Sequence, residues 1–169
     1  NNKTVLKTRE IIRELPEFCN EFFLDLNQNT LPKTRMGYAY DLRVFFNFLV
    51  TENKEFLGRD IKSLTLDDLQ KIKVVDINQF MDYLAYYVSD EDSQLYSNGE
   101  NGKARKLAAV RKLFKYFYRT EKISSNPAEL TITPKRHEKE IVRLEPNEVA
   151  EMLDVIENGS KMTSKQKEY

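Results

Sequence analysis

The residues best suited to chemistry in this chain are basic. From Asn101 to Lys122 it carries Lys103, Arg105, Lys106, Arg111, Lys112, Lys115, Arg119 and Lys122 against the single acid Glu121. Lys and Arg at that density can neutralise phosphate oxygens and reach base edges. The segment before it is opposite in sign: Glu52 to Glu100 holds eleven acids and five bases, Lys54, Arg59, Lys62, Lys71 and Lys73. A formal net charge of zero therefore conceals charge segregated along the sequence. Groups for covalent catalysis do not assemble, since there is no Gly-rich phosphate loop and no nucleophile constellation. The acids Asp67 and Asp68 diverge on a helix and Asp90, Glu91 and Asp92 fall in a loop, so both sets read as solvated surface. Cys19 has no cysteine partner, and with His137 alone it cannot make a zinc site. No cofactor or metal is expected.

The elements that must position these bases are helical. A chain of 169 residues, 40% hydrophobic and 32% charged, has room for one well-cored domain and an appendage. Thr8 to Leu15 offers a short helix before Pro16. Phe18, Phe22, Phe23 and Leu26 then recur at helical spacing and predict a helix over 16–26, followed by a polar turn over 27–30. Pro32 opens a longer helix to about Asn53, with Tyr38, Leu42, Phe45, Phe46 and Leu49 on its apolar side. A short helix is expected over 66–72, and another after Asp76, which suits an N-cap. Residues 89–102, acidic and containing two Asn-Gly pairs, read as a loop. Lys103 to Arg119 forms the next helix, Pro127 ends the packed unit, and a basic linker leads to a final helix from Pro146 through Glu157. No alternating strand pattern persists. The expected fold is all-α, a compact four- to five-helix bundle followed by a linker and one extra helix.

The helix over 103–119 has two sides. Leu107, Val110, Leu113, Phe114 and Phe117 cluster on one, while Arg105, Ala108, Ala109, Lys112, Lys115 and Arg119 occupy the other. A basic helix face with small residues suits the major groove of duplex DNA. A second basic surface comes from Lys33, Thr34 and Arg35 in the first turns of the 32–53 helix, where the N-terminal amides favour phosphate, with Tyr40 and Arg43 beyond them. The alternative for Tyr40 is a place in the core. Arg111 flanks the apolar stripe and has a structural alternative.

Several stretches resemble one known family. Thr34 to Leu49, TRMGYAYDLRVFFNFL, is similar to the T-x-x-x-Y-x-x-D-L-x-x-F-x-x-F-L signature of a helix in the core-binding domain of tyrosine recombinases, the phage-integrase family. Lys103 to Tyr118, KARKLAAVRKLFKYFY, resembles that domain's fourth helix, R-x-L-A-A-L-R-x-F-F-x-Y. Asn126-Pro127-Ala128 matches the exit N-P-A, Pro134-Lys135 a Pro-Lys linker, and LEPNEVAEML from Leu144 to Leu153 the L-T-x-E-E-V-x-x-L-L that opens the catalytic domain. The resemblance implies a SAM-like core-binding domain that grips duplex DNA within a C-shaped clamp, with a tyrosine elsewhere in the protein breaking one strand and no nucleotide cofactor. The loop over 90–100 is longer than the family requires, and Gly37 departs from good helix formers.

Together these readings divide the chain into an N-terminal extension over 1–15, a DNA-binding domain over 16–127, a basic linker over 128–143 and the start of a truncated catalytic domain over 144–169. The expected function is DNA binding by a site-specific recombinase or integrase of a mobile element or phage, with Xer-type chromosome resolution as the variant. The candidate contacts are Lys33, Thr34, Arg35, Tyr40, Arg43, Arg105, Ala109, Arg111 and Lys112, with Lys135 and Arg136 touching phosphates from the linker. This fragment is expected to be inactive in cleavage, with double-stranded DNA and other recombinase protomers as partners and no small-molecule substrate. No run of about 20 apolar residues suits a membrane span, and a cytoplasmic location is expected. The rival is a helical interaction module whose basic face docks an acidic protein.

Overall fold

The computed structural model describes residues 2–88, 93–134 and 146–158. It contains eight α-helices and one small hairpin among them, a mostly helical protein as the periodicity predicts. Contacts divide the chain into two compact units, 1–136 and 137–169. In the first lie α1 (Asn2–Ile12), α2 (Cys19–Asn29), α3 (Pro32–Thr51), α4 (Leu66–Lys71), α5 (Val74–Tyr83), β1 (Tyr86–Val88), β2 (Leu95–Ser97), α6 (Glu100–Arg119) and α7 (Pro127–Leu130). The second contributes α8 (Pro146–Asn158), an amphipathic helix on which Met152, Leu153 and Ile156 are exposed.

The core is built around phenylalanine. Phe45 of α3 meets Phe80 of α5 at 5.1 Å between ring centroids and Phe114 of α6 at 6.5 Å. Phe18, just before α2, sits edge-on to both Phe46 and Phe117. Such edge-to-face pairs add to the area-based stabilisation of burying each ring. Three helices distant in sequence are thereby fixed to one another by α3, whose buried face includes Ala39, Leu42, Phe45, Phe46, Phe48 and Leu49. Cys19 is fully buried, and burial pushes its thiol up. It is a packing residue.

Several boundaries differ from the expected ones for identifiable reasons. The stretch before Pro16 is a longer helix than expected, and α1 packs on α3 with Ile11 buried. Pro16 supplies a turn in which its carbonyl accepts the Cys19 amide at 2.9 Å, so α2 starts at Cys19 and continues through the polar residues to Asn29. Asp76 is not an N-cap. It stands inside the first turn of α5, where its carboxylate accepts the Lys73 amide at 2.7 Å and the Asn53 side-chain amide at 2.8 Å. The stretch over 89–102 is not all loop and the helix before it stops at Tyr83, short of Tyr87: β1, just before that stretch, and β2, within it, pair antiparallel, with Tyr86 opposite Ser97, Tyr87 opposite Tyr96 and Val88 opposite Leu95. Three residues per strand are too few for an alternating pattern to register, although the Tyr-Tyr-Val and Leu-Tyr runs have the right propensity. That hairpin brings the start of α6 forward to Glu100.

Helix α6 ends in a Schellman turn. Lys122 donates to the Phe117 carbonyl at 2.9 Å and Glu121 to that of Tyr118 at 3.1 Å, with Glu121 in the left-handed region at φ 59°. Packing continues beyond Pro127, because Ala128 and Thr131 are buried. Helix α4, whose Gln70 side chain accepts the Ser124 amide just after the Schellman turn at 3.2 Å, opens with a capping box in which Thr65 and Asp68 exchange side-chain and backbone bonds. Arg59 donates two bonds to the same Asp68 carboxylate, at 3.0 and 2.9 Å, and these hold its carboxyl well below the usual carboxylate range.

A depressed folded-state pKa contributes stability that is present above the unfolded-state value of about 4 and is lost as pH falls through the folded value. Asp68→Asn is therefore expected to lower stability by about 1 kcal/mol at pH 7, the usual scale for a lost cap. Urea melts of the two proteins should converge as pH drops below 4; a difference that persists undiminished at pH 2 contradicts this.

Candidate nucleic-acid interface

Helix α6 packs against α2, α3 and α7, so its buried arc is wide. It takes in Ala104, Lys106, Leu107, Ala109, Val110, Leu113, Phe114 and Phe117. Its exposed residues are Asn101, Arg105, Ala108, Lys112, Lys115, Tyr118 and Arg119, and five of them, Arg105, Ala108, Lys112, Lys115 and Arg119, make one strip. Successive steps of three and four residues keep these side chains on one line, about 21 Å long at 1.5 Å per residue. Four cations and one methyl group form a ridge narrow enough for a major groove, about 12 Å wide.

Position and charge of the ridge are set by Asp41 of α3. This carboxylate is almost wholly buried, accepts an ion pair from Arg105 at 2.9 Å and lies 3.9 Å from Lys106 Nζ. Burial pushes the Asp41 carboxyl up from its ordinary value, and Arg105 and Lys106 oppose that shift. Burial likewise pushes Lys106 down, opposed by Asp41. Lys106 completes its coordination at Asn98 Oδ1, 2.8 Å away, while Asn98 donates to the Leu84 carbonyl at the end of α5. One buried carboxylate thus ties α3 to α6 and, through Lys106 and Asn98, to the residues between α5 and α6. Arg105 keeps 59% of its side chain in solvent, so the guanidinium that binds Asp41 still presents donors outward. A Cβ at Gly37 would stand 4.0 Å from Arg105 Nη1, which places this part of α3 directly beside the start of the ridge.

The far end of the ridge is partly neutralised from α2. Asp25 lies 3.5 Å from Arg119. Glu21 pairs with Lys122 and accepts the Tyr116 hydroxyl at 2.8 Å. Burial and the bond to Glu21 push the phenol of Tyr116 up to about 12, so it stays protonated at neutral pH. Lys112 and Lys115 have no acid within ion-pair distance among the described residues. They carry the uncompensated charge.

The candidate residues differ in how the fold presents them. Lys33 and Thr34 are exposed in the first turn of α3, and Lys112 and Arg105 on the ridge. Arg35 is half-buried, with its guanidinium donating to the Thr30 carbonyl at 2.6 Å, where it ties down the turn before α3. Arg43 retains only 15% of its side-chain surface; it pairs with Glu14 at 3.0 Å and lies over the half-buried ring of Tyr40. Ala109 is a correction: it is fully buried and cannot face a groove, because it lies on the edge of α6 beside Arg105 and Lys106, the two residues that Asp41 of α3 holds, and α3 covers that edge beyond the single stripe read from the sequence. Arg111 takes its structural alternative. Its guanidinium donates to the Ala128 carbonyl at 3.0 Å, to the Thr133 hydroxyl at 2.6 Å and to the Thr131 carbonyl, stapling the chain that leaves α7. Lys135 and Arg136 lie outside the described residues. Lys115, Arg119 and Ala108 complete the ridge and were open to detection by their 3-4-3-4 spacing with Arg105 and Lys112. Asp41 and Lys106 carried no such signal, since a buried ion pair joins residues 65 positions apart. Among the described residues no acid, His or Cys cluster could hold a metal ion, and no helix is long and apolar enough to cross a membrane.

Asp41→Asn tests the tie. It is expected to cost about 2 kcal/mol at pH 7, less than the roughly 3–5 of breaking a fully buried pair because Arg105 is largely solvated. In a Lys106→Met background, where no buried ammonium is left without its carboxylate, the loss should shrink by about half. Equal losses in both backgrounds, measured by chemical denaturation, would show that Asp41 and Lys106 are not coupled.

Three similar proteins are bacterial and carry one name. The chain is 32% identical over 154 residues to "Tyrosine recombinase XerC" of Caldanaerobacter subterraneus subsp. tengcongensis, covering 87% of this chain and 41% of that protein. It is 34% identical over 130 residues to that of Chlorobaculum parvum, covering 77% and 34%, and 27% identical over 161 residues to that of Leptospira interrogans, covering 89% and 45%. The chain spans less than half the length of these relatives. No family model matches it, and no solved structure matches it significantly. With alignments running through α3 and α6 across most of its own length, this chain belongs to the tyrosine recombinase family.

Proposed function

We propose that this chain is the DNA-gripping helical module of a site-specific tyrosine recombinase. The observation that carries the reading is the ridge of α6: four cations on one line, on a helix anchored to α3 by Asp41. Phosphate contacts position a protein on duplex DNA and dominate its affinity. Lys112 and Lys115 are the main phosphate ligands, with Arg105 and Arg119 at the two ends of the ridge. Ala108, between Arg105 and Lys112, lets the helix backbone come close to a groove. Lys33 and Thr34 add a second contact at the N-terminus of α3, where unpaired backbone amides also attract phosphate.

In this reading residues 16–127 are the binding domain, α1 is part of its support, and 128–143 lead to the opening of a catalytic domain over 144–169. Lys135 and Arg136 would touch the DNA backbone from that connection. The Arg111 staple then has a mechanical role: it fixes the direction in which the chain departs from α7. Strand cleavage is assigned to the part of the family's length that this chain does not cover, and other protomers on the same DNA are its protein partners. The name shared by the relatives supports the Xer-type variant, while an origin in a phage or mobile element rests on the resemblance of the helix motifs.

Each lost phosphate contact removes roughly 0.9 from the slope of log affinity against log salt. Lys112→Ala combined with Lys115→Ala should therefore flatten the slope by roughly 1.8 on any duplex, with an unchanged melting temperature because both side chains are solvated. A slope equal to that of the parent protein removes α6 from the interface. Failure of the parent chain to bind duplex at low salt, with capture by an acidic protein instead, would favour the interaction-module rival.

A further inference from the structure

A cleft of about 420 Å³ opens beside the start of the ridge. Its volume falls in the range of about 300–1,000 Å³ usual for small-ligand sites. One wall is a ladder of aromatic rings. Tyr83, at the end of α5, packs on Phe48 of the core at 5.2 Å. Tyr87 stacks on Tyr83 at 5.2 Å and an interplanar angle of 27°, and Tyr96 stacks on Tyr87 at 5.7 Å and 19°. The last two are cross-strand partners in the hairpin, which is why they share a face. The ladder is rooted in the core and ends at Tyr96, 40% exposed. Arg43 and Arg105 line the same cleft.

This combination differs from ordinary core packing. Near-parallel rings hold a flat π surface in fixed orientation, and two guanidinium groups stand beside it. Stacking on aromatics next to cations is how proteins hold unpaired nucleotides without reading their sequence. Arg105 belongs to both surfaces, since it begins the α6 ridge and lines the cleft. A strand lying along the ridge therefore passes the mouth of the cleft.

We propose that the cleft is a site for an unpaired nucleotide, whose base stacks on Tyr96 and whose phosphate lies against Arg105. The proposal rests on the DNA-binding reading and adds a ligand that duplex binding alone does not require. The hairpin between α5 and α6 is then a binding element that supplies the stacking surface.

The test compares a blunt duplex with the same duplex ending in a three-nucleotide single strand, 5′ in one probe and 3′ in another, each with 2-aminopurine in the overhang. At least one overhang should bind the parent chain about 10-fold more tightly than the blunt end, and its 2-aminopurine fluorescence should be quenched on binding. Tyr96→Ala should reduce the gain below about twofold and Tyr96→Phe should keep it, with blunt-duplex affinity the same in all three proteins. Blunt-duplex binding without any overhang gain or quenching would overturn the proposal and leave the DNA-binding reading standing. A gain that survives Tyr96→Ala would overturn it as well, and loss of binding to both probes would remove the two readings together. The fluorescence change in the parent chain decides the matter even if Tyr96→Ala does not fold.

Discussion

A carboxylate with almost no access to water must find cations, and that constraint organises this molecule. Asp41 sits on the buried side of α3 and draws Arg105 and Lys106 of α6 to one oxygen. Removing a charge from water costs several kcal/mol unless it is paired and hydrogen-bonded, so α3 and α6 are constrained in rotation about their axes as well as held together. Apolar packing alone would tolerate a range of such rotations; an ion pair between fixed positions is more selective. Rotation decides which residues of α6 emerge on its free side, and the ridge of Arg105, Ala108, Lys112, Lys115 and Arg119 is the outcome.

The same geometry reconciles a neutral chain with a strongly basic face. Acids are spent internally or at the edges of the ridge: Asp41 under Arg105, Asp68 on the capping box and Arg59, and Glu21 and Asp25 beside the last turn of α6. Among the described residues the middle of the ridge has no such partners. Charge balance over the whole chain is therefore a poor guide to the field at one face. Arg111 shows the converse, since a basic residue in the densest basic segment is consumed by three backbone and hydroxyl oxygens of the 128–133 stretch.

How much of this was legible in the sequence depended on the range of the interaction concerned. Periodicity of Phe, Leu and Tyr is local, and it predicted α2, α3, α5 and α6 because each helix hides one side from water. Ala109 was misplaced because α3 covers the edge of α6 beside Arg105 and Lys106, and nothing within the helix announces a partner some 65 residues earlier. The hairpin escaped because its strands are three residues long. Asp76 has the residue type of a cap, but its place in the first turn is set by where the helix starts. The tie through Asp41 was present in the quoted helix signatures as letters, Asp-Leu in one and Arg in the other; that these letters touch is a fact of tertiary structure.

The central claim, that the free side of α6 is the surface applied to DNA, is most directly tested by amine footprinting. The protein is acetylated briefly with and without saturating duplex, and each lysine is quantified by mass spectrometry. Lys112 and Lys115 should be protected several-fold by DNA, with Lys33 protected alongside them, while Lys54, Lys71 and Lys73, which line a different cleft, react at unchanged rates. Equal acetylation of Lys112 and Lys115 in the presence and absence of bound duplex, or protection confined to the other three, would contradict the account.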